Sequence, residues 1–291
     1  MRISIIGAGA IGLLLGTNFS MSGHEVTMIC HRREQAERLA ANGIHYIGKT
    51  RKNVCIQASS RLSAEPMDLL IVAVKSPHVS SIIEQIHEAY RGGFSPDLLF
   101  IQNGMGHIEQ LSTLSQNILV GVLDHGAIKR DDVTVEHIGA GAIRVSAFTG
   151  LPNDLQHLSM KDFPIYYEKD WYQMLARKLI VNCAVNPLTG LYRVQNGSLL
   201  TNARFYAIMR ELVRESSRVL GLDFEASLNN VQSVCERTAL NTSSMLADLN
   251  AGRSTEIDAI TGFILKRAEV SGSDVPYSRF VFESIKGLES R

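Results

Sequence analysis

Over the first half of the chain, short runs of consecutive apolar residues alternate with segments whose apolar positions recur every three to four residues. Residues 2–6 (RISII) read as a buried strand. The apolar stretch after Gly12 reads as a helix reaching about Ser22, and Gly23 stands where a helix commonly ends on a left-handed glycine. Residues 25–30 predict a second strand, and 34–41 a helix that Asn42-Gly43 stops. Residues 69–74 and 98–101 predict further buried strands with a helix over 79–90 between them, and 118–122 another strand. Parallel strands covered on both faces are apolar throughout, so this alternation predicts a doubly wound parallel sheet.

The pattern then changes. Residues 133–138 and 142–148 predict two strands around Gly139-Ala140-Gly141, a hairpin that would extend the sheet in antiparallel fashion. Pro152, Asn153-Asp154 and Pro164 interrupt 151–169, and a domain boundary is expected there. From Trp171 onward the periodicity is helical almost throughout, with Asp170 placed to cap the first helix. The expectation is an α/β chain: an N-terminal doubly wound domain over 1–168 and an all-α domain over 169–291.

A length of 291 residues suits two domains. Lys+Arg and Asp+Glu balance at 29 each, which argues against a polyanion partner such as nucleic acid. Cys30, Cys55, Cys183 and Cys235 are scattered with no CxxC pair, which argues against a structural metal and suits reduced thiols in a cytoplasmic setting. The first residues lack a basic leader with a cleavage site, and no run of roughly 18 apolar residues occurs, so neither a signal peptide nor a membrane span is expected.

The candidate chemistry begins at Gly7-Ala8-Gly9-Ala10-Ile11-Gly12, directly after the first strand and opening the first helix. Gly7 suits a tight turn, Gly9 the approach of a pyrophosphate to the backbone, and Gly12 close packing of helix on strand, which is the dinucleotide-binding (Rossmann) pattern. The free N–H groups of the helix start favour phosphate. An acidic residue at the end of the second strand would select NAD. The chain has Cys30-His31-Arg32-Arg33 instead, and a guanidinium pairs well with a 2′-phosphate, so NADPH is expected, with Arg32 as its reader. His31 suits adenine stacking or no role.

Lys75 and Asn103 follow two later strands, at the sheet edge where ligands bind in such folds. Lys75 is expected near cofactor phosphate or ribose, and Asn103 between nicotinamide and substrate. In Asp124-His125-Gly126-Ala127, His125 is a candidate acid, although a histidine at a strand end is more often structural, and Ala127 is assigned to the cofactor side.

Reducing a keto group requires a hydride at carbon and a proton at oxygen, and a nicotinamide cofactor supplies only the first. Lys178, Asn182 and Asn186 are spaced by four, and so share one face of an otherwise apolar helix. Lys178 is the candidate acid, and the two asparagines the candidate substrate ligands. Ser244 lies at a helix start, where it suits either a substrate carboxylate or an N-cap. Glu256 would keep the lysine protonated, or simply face solvent.

Several motifs in order strengthen the reading. GAGAIG from Gly7, VAVK ending at Lys75, QNGMG from Gln102, KLIVNCAVNPLTGL from Lys178, QNG from Gln195, NTSSMLADL from Asn241 and GRSTEIDAITG from Gly252 together resemble the ketopantoate reductase family over essentially the whole chain. The resemblance implies that Lys178 is the general acid and that Asn182, Asn186, Asn196 and Ser244 bind substrate. It implies that Asn103 and Glu256 sit where cofactor meets substrate. The implied reaction is NADPH-dependent reduction of 2-dehydropantoate to pantoate, for pantothenate and coenzyme A synthesis, in a cleft between the domains. The alternatives are a reductase of another branched 2-keto acid and a non-catalytic NADP-binding sensor. Monomers and dimers both occur in this fold; the sequence leaves the assembly open, with a homodimer one candidate. Two departures stand out: His31 where relatives often carry arginine, and Gly190 where alanine is usual, which would loosen the helix by about 1 kcal/mol.

Overall fold

The computed structural model describes residues 1–91 and 95–290. They form two compact units, Met1–Gln102 with His107–Trp171, and Asn103–Gly106 with Tyr172–Arg291. In the first unit the order is β1 (Arg2–Ile6), α1 (Ala10–Met21), β2 (Glu25–Ile29), α2 (Arg33–Asn42), β3 (Ile44–Ile47), β4 (Arg51–Val54), β5 (Gln57–Ser59), β6 (Leu69–Val72), α3 (Val79–Ala89), β7 (Asp97–Phe100), α4 (Ile108–Leu111), β8 (Ile118–Leu123), β9 (Gly126–Lys129), β10 (Thr134–Gly139), β11 (Ile143–Thr149) and β12 (Ile165–Tyr167).

Eight of these strands form one sheet in the order β12-β11-β8-β7-β6-β1-β2-β5. From β5 to β8 all neighbours are parallel, and the chain starts in the middle and winds outward both ways, which is the Rossmann strand order. Complete burial of Leu69, Leu70, Ile71 and Val72 in β6 explains the unbroken apolar run there.

The expected hairpin over 133–148 does not form. β10 lies in a second, four-stranded sheet, β4-β3-β10-β9, pairing with β3 and β9, whereas β11 pairs with β8 and β12 in the main sheet. The glycines between them carry the chain from one sheet to the other. This small sheet packs on α1, whose opposite side faces β1 and β2. A helix held between two sheets has no solvent face, which accounts for α1 being apolar nearly all round and buried from Gly12 through Phe19.

The second unit comprises α5 (Trp171–Tyr192, its first residue in the other unit), α6 (Ser198–Thr201), α7 (Ala203–Leu220), α8 (Phe224–Arg237), α9 (Ser244–Asn250), α10 (Ile257–Ser271) and α11 (Pro276–Glu289). α5 is its central helix, and Leu179 through Gly190 are buried without a break. The thiol of Cys183 faces Ser216 of α7 and Thr261 of α10, and burial pushes it up to about 12. Gly190 packs against α9 and α11: a Cβ there would sit 3.1 Å from Leu249 Cδ1 and 3.2 Å from Ile285 Cδ1. The glycine thus admits neighbouring helices closely as well as costing helix propensity. Glu215, buried on α7, caps α11 by accepting from the Tyr277 and Ser278 amides at 2.9 and 2.7 Å. Among the described residues no helix is long and apolar enough to cross a membrane.

Candidate active site

The turn from β1 to α1 is built for close approach. Gly7 has φ +106°, and the Gly7 amide donates to Ile29 O at 2.9 Å, tying the turn to β2. A Cβ on Gly12 would lie 1.8 Å from Gly7 O, so no side chain fits there. At Gly9, by contrast, a Cβ would meet nothing within 4 Å. Gly9 is also the N-cap of α1, with no side-chain cap and no acidic residue in the first turn. Ala8, Ala10 and Ile11 complete the turn, whose outward amides and positive helix end fit a pyrophosphate.

Arg32 follows β2 as the N-cap of α2 and pairs with Asp132, while Arg33 is engaged by Glu37 one helical turn on, at 2.7 Å. His31 is exposed. Asp132 also meets Lys129 at 3.2 Å and Arg38 at 3.6 Å. The buried Gln35 amide donates to both Ala8 O and Asp132 O at 2.9 Å, fastening this cluster to the glycine turn. Cys30 lies beside it: burial pushes its thiol up to about 11, against the pull of Lys129 and Arg32. That Gln35, Arg38, Lys129 and Asp132 come together beside the glycine turn was not legible from the sequence. The carboxylate comes 100 residues after its arginine, and no local pattern marks it.

Lys75 is exposed just beyond β6 and precedes a short 3₁₀ turn. Ala127 lies in β9, paired with His137. His125 is unsuited to be an acid at neutral pH. It is 5% exposed, stacks on Phe163 with ring centroids 4.2 Å apart, and accepts from the Gly141 amide at Nδ1. Burial, with His137 beside it, pushes it down to about 4. Of the two readings of this strand-end histidine, the geometry matches the structural one.

In the second unit, Lys178 is half-buried, and Asn182 and Asn186 are 7% and 8% exposed on the same face of α5. Neither asparagine side chain makes a hydrogen bond among the described residues. Neither amide is among the fully enclosed unsatisfied groups, so both keep some access to solvent and are open to a polar ligand. Asn103 Nδ2 donates to Glu256 Oε2 at 2.8 Å, joining residues 153 apart in sequence. Gly104 permits this approach, since a Cβ there would meet Ala259 O of α10 at 2.1 Å. Asn196 Nδ2 donates to Thr238 at 2.9 Å, while its buried Oδ1 has no partner among the described residues. The N-cap of α9 is Ser243, which accepts from the Leu246 amide at 3.1 Å and bonds Thr189 of α5 at 2.7 Å. Ser244, one residue on, is therefore not the cap and is exposed.

Models of the family described as ketopantoate reductase PanE/ApbA match residues 3–150, and its C-terminal part residues 170–289. The chain belongs to the ketopantoate reductase family. It is 41% identical to the 2-dehydropantoate 2-reductase of Bacillus subtilis, covering 99% of this chain and 98% of that one. It is 39% identical to the enzyme of the same name from Listeria innocua, over 99% and 97%. The crystal structure of the probable B. subtilis enzyme superposes with a TM-score of 0.90 at 40% identity, over 99% and 100% of the chains. The fold is shared more widely: D-mandelate dehydrogenase, solved with NADH and anilino(oxo)acetate, reaches a TM-score of 0.89 at 23% identity. As a ketopantoate reductase family member, the chain is an oxidoreductase dependent on a nicotinamide dinucleotide.

Proposed function

We propose that this chain reduces the keto group of 2-dehydropantoate to the hydroxyl of pantoate with NADPH. The supporting observation is the polar face of α5: Lys178 one turn before Asn182 and two before Asn186, on an otherwise buried helix, with neither amide hydrogen-bonded among the described residues. Bound NADPH supplies the hydride. The ammonium of Lys178 stabilises negative charge gathering on the carbonyl oxygen and delivers the proton that completes the alcohol. Asn182 and Asn186 donate and accept hydrogen bonds that fix the substrate's orientation, with Asn196 and Ser244 adding polar contacts. Glu256, held by Asn103, accepts a hydrogen bond from the substrate hydroxyl and favours the charged lysine. Gly7, Ala8, Gly9, Ala10, Ile11 and Gly12 hold the pyrophosphate, with Arg32, Lys75 and Ala127 beside the nucleotide. Arg32 supports NADPH over NADH.

The test is loss of NADPH absorbance with 2-dehydropantoate, run beside NADH and a panel of branched 2-keto acids. The highest kcat/KM is expected for NADPH with 2-dehydropantoate, and a better keto acid would replace the substrate assignment. Lys178→Ala should lower kcat on the order of 10²–10⁴-fold while NADP⁺ affinity stays within about twofold. Near-normal turnover in that variant would remove Lys178 as the acid.

A further inference from the structure

Beside the glycine turn, one carboxylate is surrounded by three cations. Asp132, with its side chain 16% exposed, meets Arg32, Lys129 and Arg38. The neighbouring Asp131 is turned away, accepting from the Val133 and Thr134 amides at 2.8 Å in its own turn. Glu37 is taken up by Arg33. The cluster thus keeps an excess of positive charge, and Gln35 fixes its main chain to the phosphate-binding turn.

We propose that Asp132 is the residue that sets how strongly this chain prefers a phosphorylated dinucleotide, acting as an internal anion that competes with the 2′-phosphate for the same three cations. The inference rests on the cofactor reading above. A carboxylate at this edge suits a ribose 2′-hydroxyl and repels a 2′-phosphate, whereas guanidinium and ammonium groups do the reverse. Both discriminators are present here, and they are bound to one another. A 2′-phosphate entering the cluster must draw Arg32, Arg38 and Lys129 away from Asp132 and tolerate its charge. An unphosphorylated ribose need not. The carboxylate therefore moderates a preference that the three cations create. Its side chain can be changed without loosening the loop, because the loop is held through the Asp132 carbonyl.

The experiment is isothermal titration of the full chain with NADP⁺ and, separately, NAD⁺. It compares the parent with Asp132→Asn, Lys129→Met and Arg38→Gln. Removing one like charge next to the phosphate should raise the NADP⁺/NAD⁺ affinity ratio of Asp132→Asn by about five- to tenfold at low salt, and by less at high salt. Lys129→Met and Arg38→Gln should each lower that ratio by a few-fold. An unchanged or lowered ratio in Asp132→Asn, in protein whose melting temperature matches the parent, overturns the proposal. A parent that prefers NAD⁺ refutes the NADPH reading, and yet the shift on Asp132→Asn still decides the role of the carboxylate.

Discussion

Acidification should unfold the first unit through two buried rings. His107 and His125 are 4% and 5% exposed, and burial pushes both down to about 4. In the unfolded chain a histidine titrates near 6.5, so the folded values lie below the unfolded ones. Between about pH 6.5 and 4 the unfolded chain takes up protons that the folded chain refuses, and stability falls as pH drops through that window. Each ring contributes a slope approaching about 1.4 kcal/mol per pH unit, so the pair should cost about 2 kcal/mol between pH 6 and 5. His24 and His137 are also shifted down and add a smaller share. Carboxylates such as Asp131 and Asp132, held below their usual range, act in the same direction only at lower pH. The only tryptophan, Trp171, packs edge-on against Phe148 with centroids 5.0 Å apart, so its fluorescence reports this unit. Urea midpoints read by that signal at pH 7, 6, 5.5 and 5 should drop steeply in the parent and much less in a His107→Asn/His125→Asn variant. Asparagine at 125 keeps an acceptor for the Gly141 amide without the titration. If the double variant loses stability as steeply as the parent, the buried rings are not the cause.

Two glycines of one motif should respond oppositely. Gly12→Ala places a methyl 1.8 Å from Gly7 O and should destabilise the chain by about 4 kcal/mol or more, read as loss of soluble protein or a large drop in urea midpoint. Gly9→Ala meets no atom within 4 Å and should keep the midpoint within about 1 kcal/mol, yet weaken NADP⁺ binding in titration by more than about tenfold. Of the four cysteines only Cys55 is exposed, while burial pushes Cys30 and Cys235 up to about 11 and Cys183 to about 12. A chromogenic disulfide should therefore titrate one thiol in the native chain at pH 8 and four in denaturant, and a second fast thiol would contradict the described packing.

The parallel sheet was legible because its strands are buried on both faces and therefore continuous in apolar residues, as in Leu69 to Val72. The small sheet was not. β3 (IHYI), β4 (RKNV) and β9 (GAIK) are short and mixed in polarity, and although β3 pairs locally with β4 and β9 with β10, the β3–β10 pairing that joins these two hairpins is remote in sequence. A signal for it did exist: α1 is apolar nearly all round, so something besides β1 and β2 had to cover it. At the site, four-residue spacing was enough to find the face of Lys178, Asn182 and Asn186. Spacing could not reveal that Asn103 bonds Glu256, nor that Arg32 meets a carboxylate 100 positions later. At α9, adjacent serines compete for the cap, and helix phase alone does not separate Ser243 from Ser244.

The covering of α1 has a consequence for how the chain is made. The helix that follows the glycine turn is complete by residue 21, but β10, which shields its outer side, ends at residue 139. A nascent chain must therefore carry Leu13, Leu14 and Phe19 without their full cover while more than a hundred further residues are synthesised. At about 5–20 residues per second that interval lasts several seconds or longer, during which an apolar surface is open to chaperones or to self-association. Synthesis that stalls before β10 would release a sticky fragment, which gives the small sheet a protective role in biogenesis beyond its place in the finished fold.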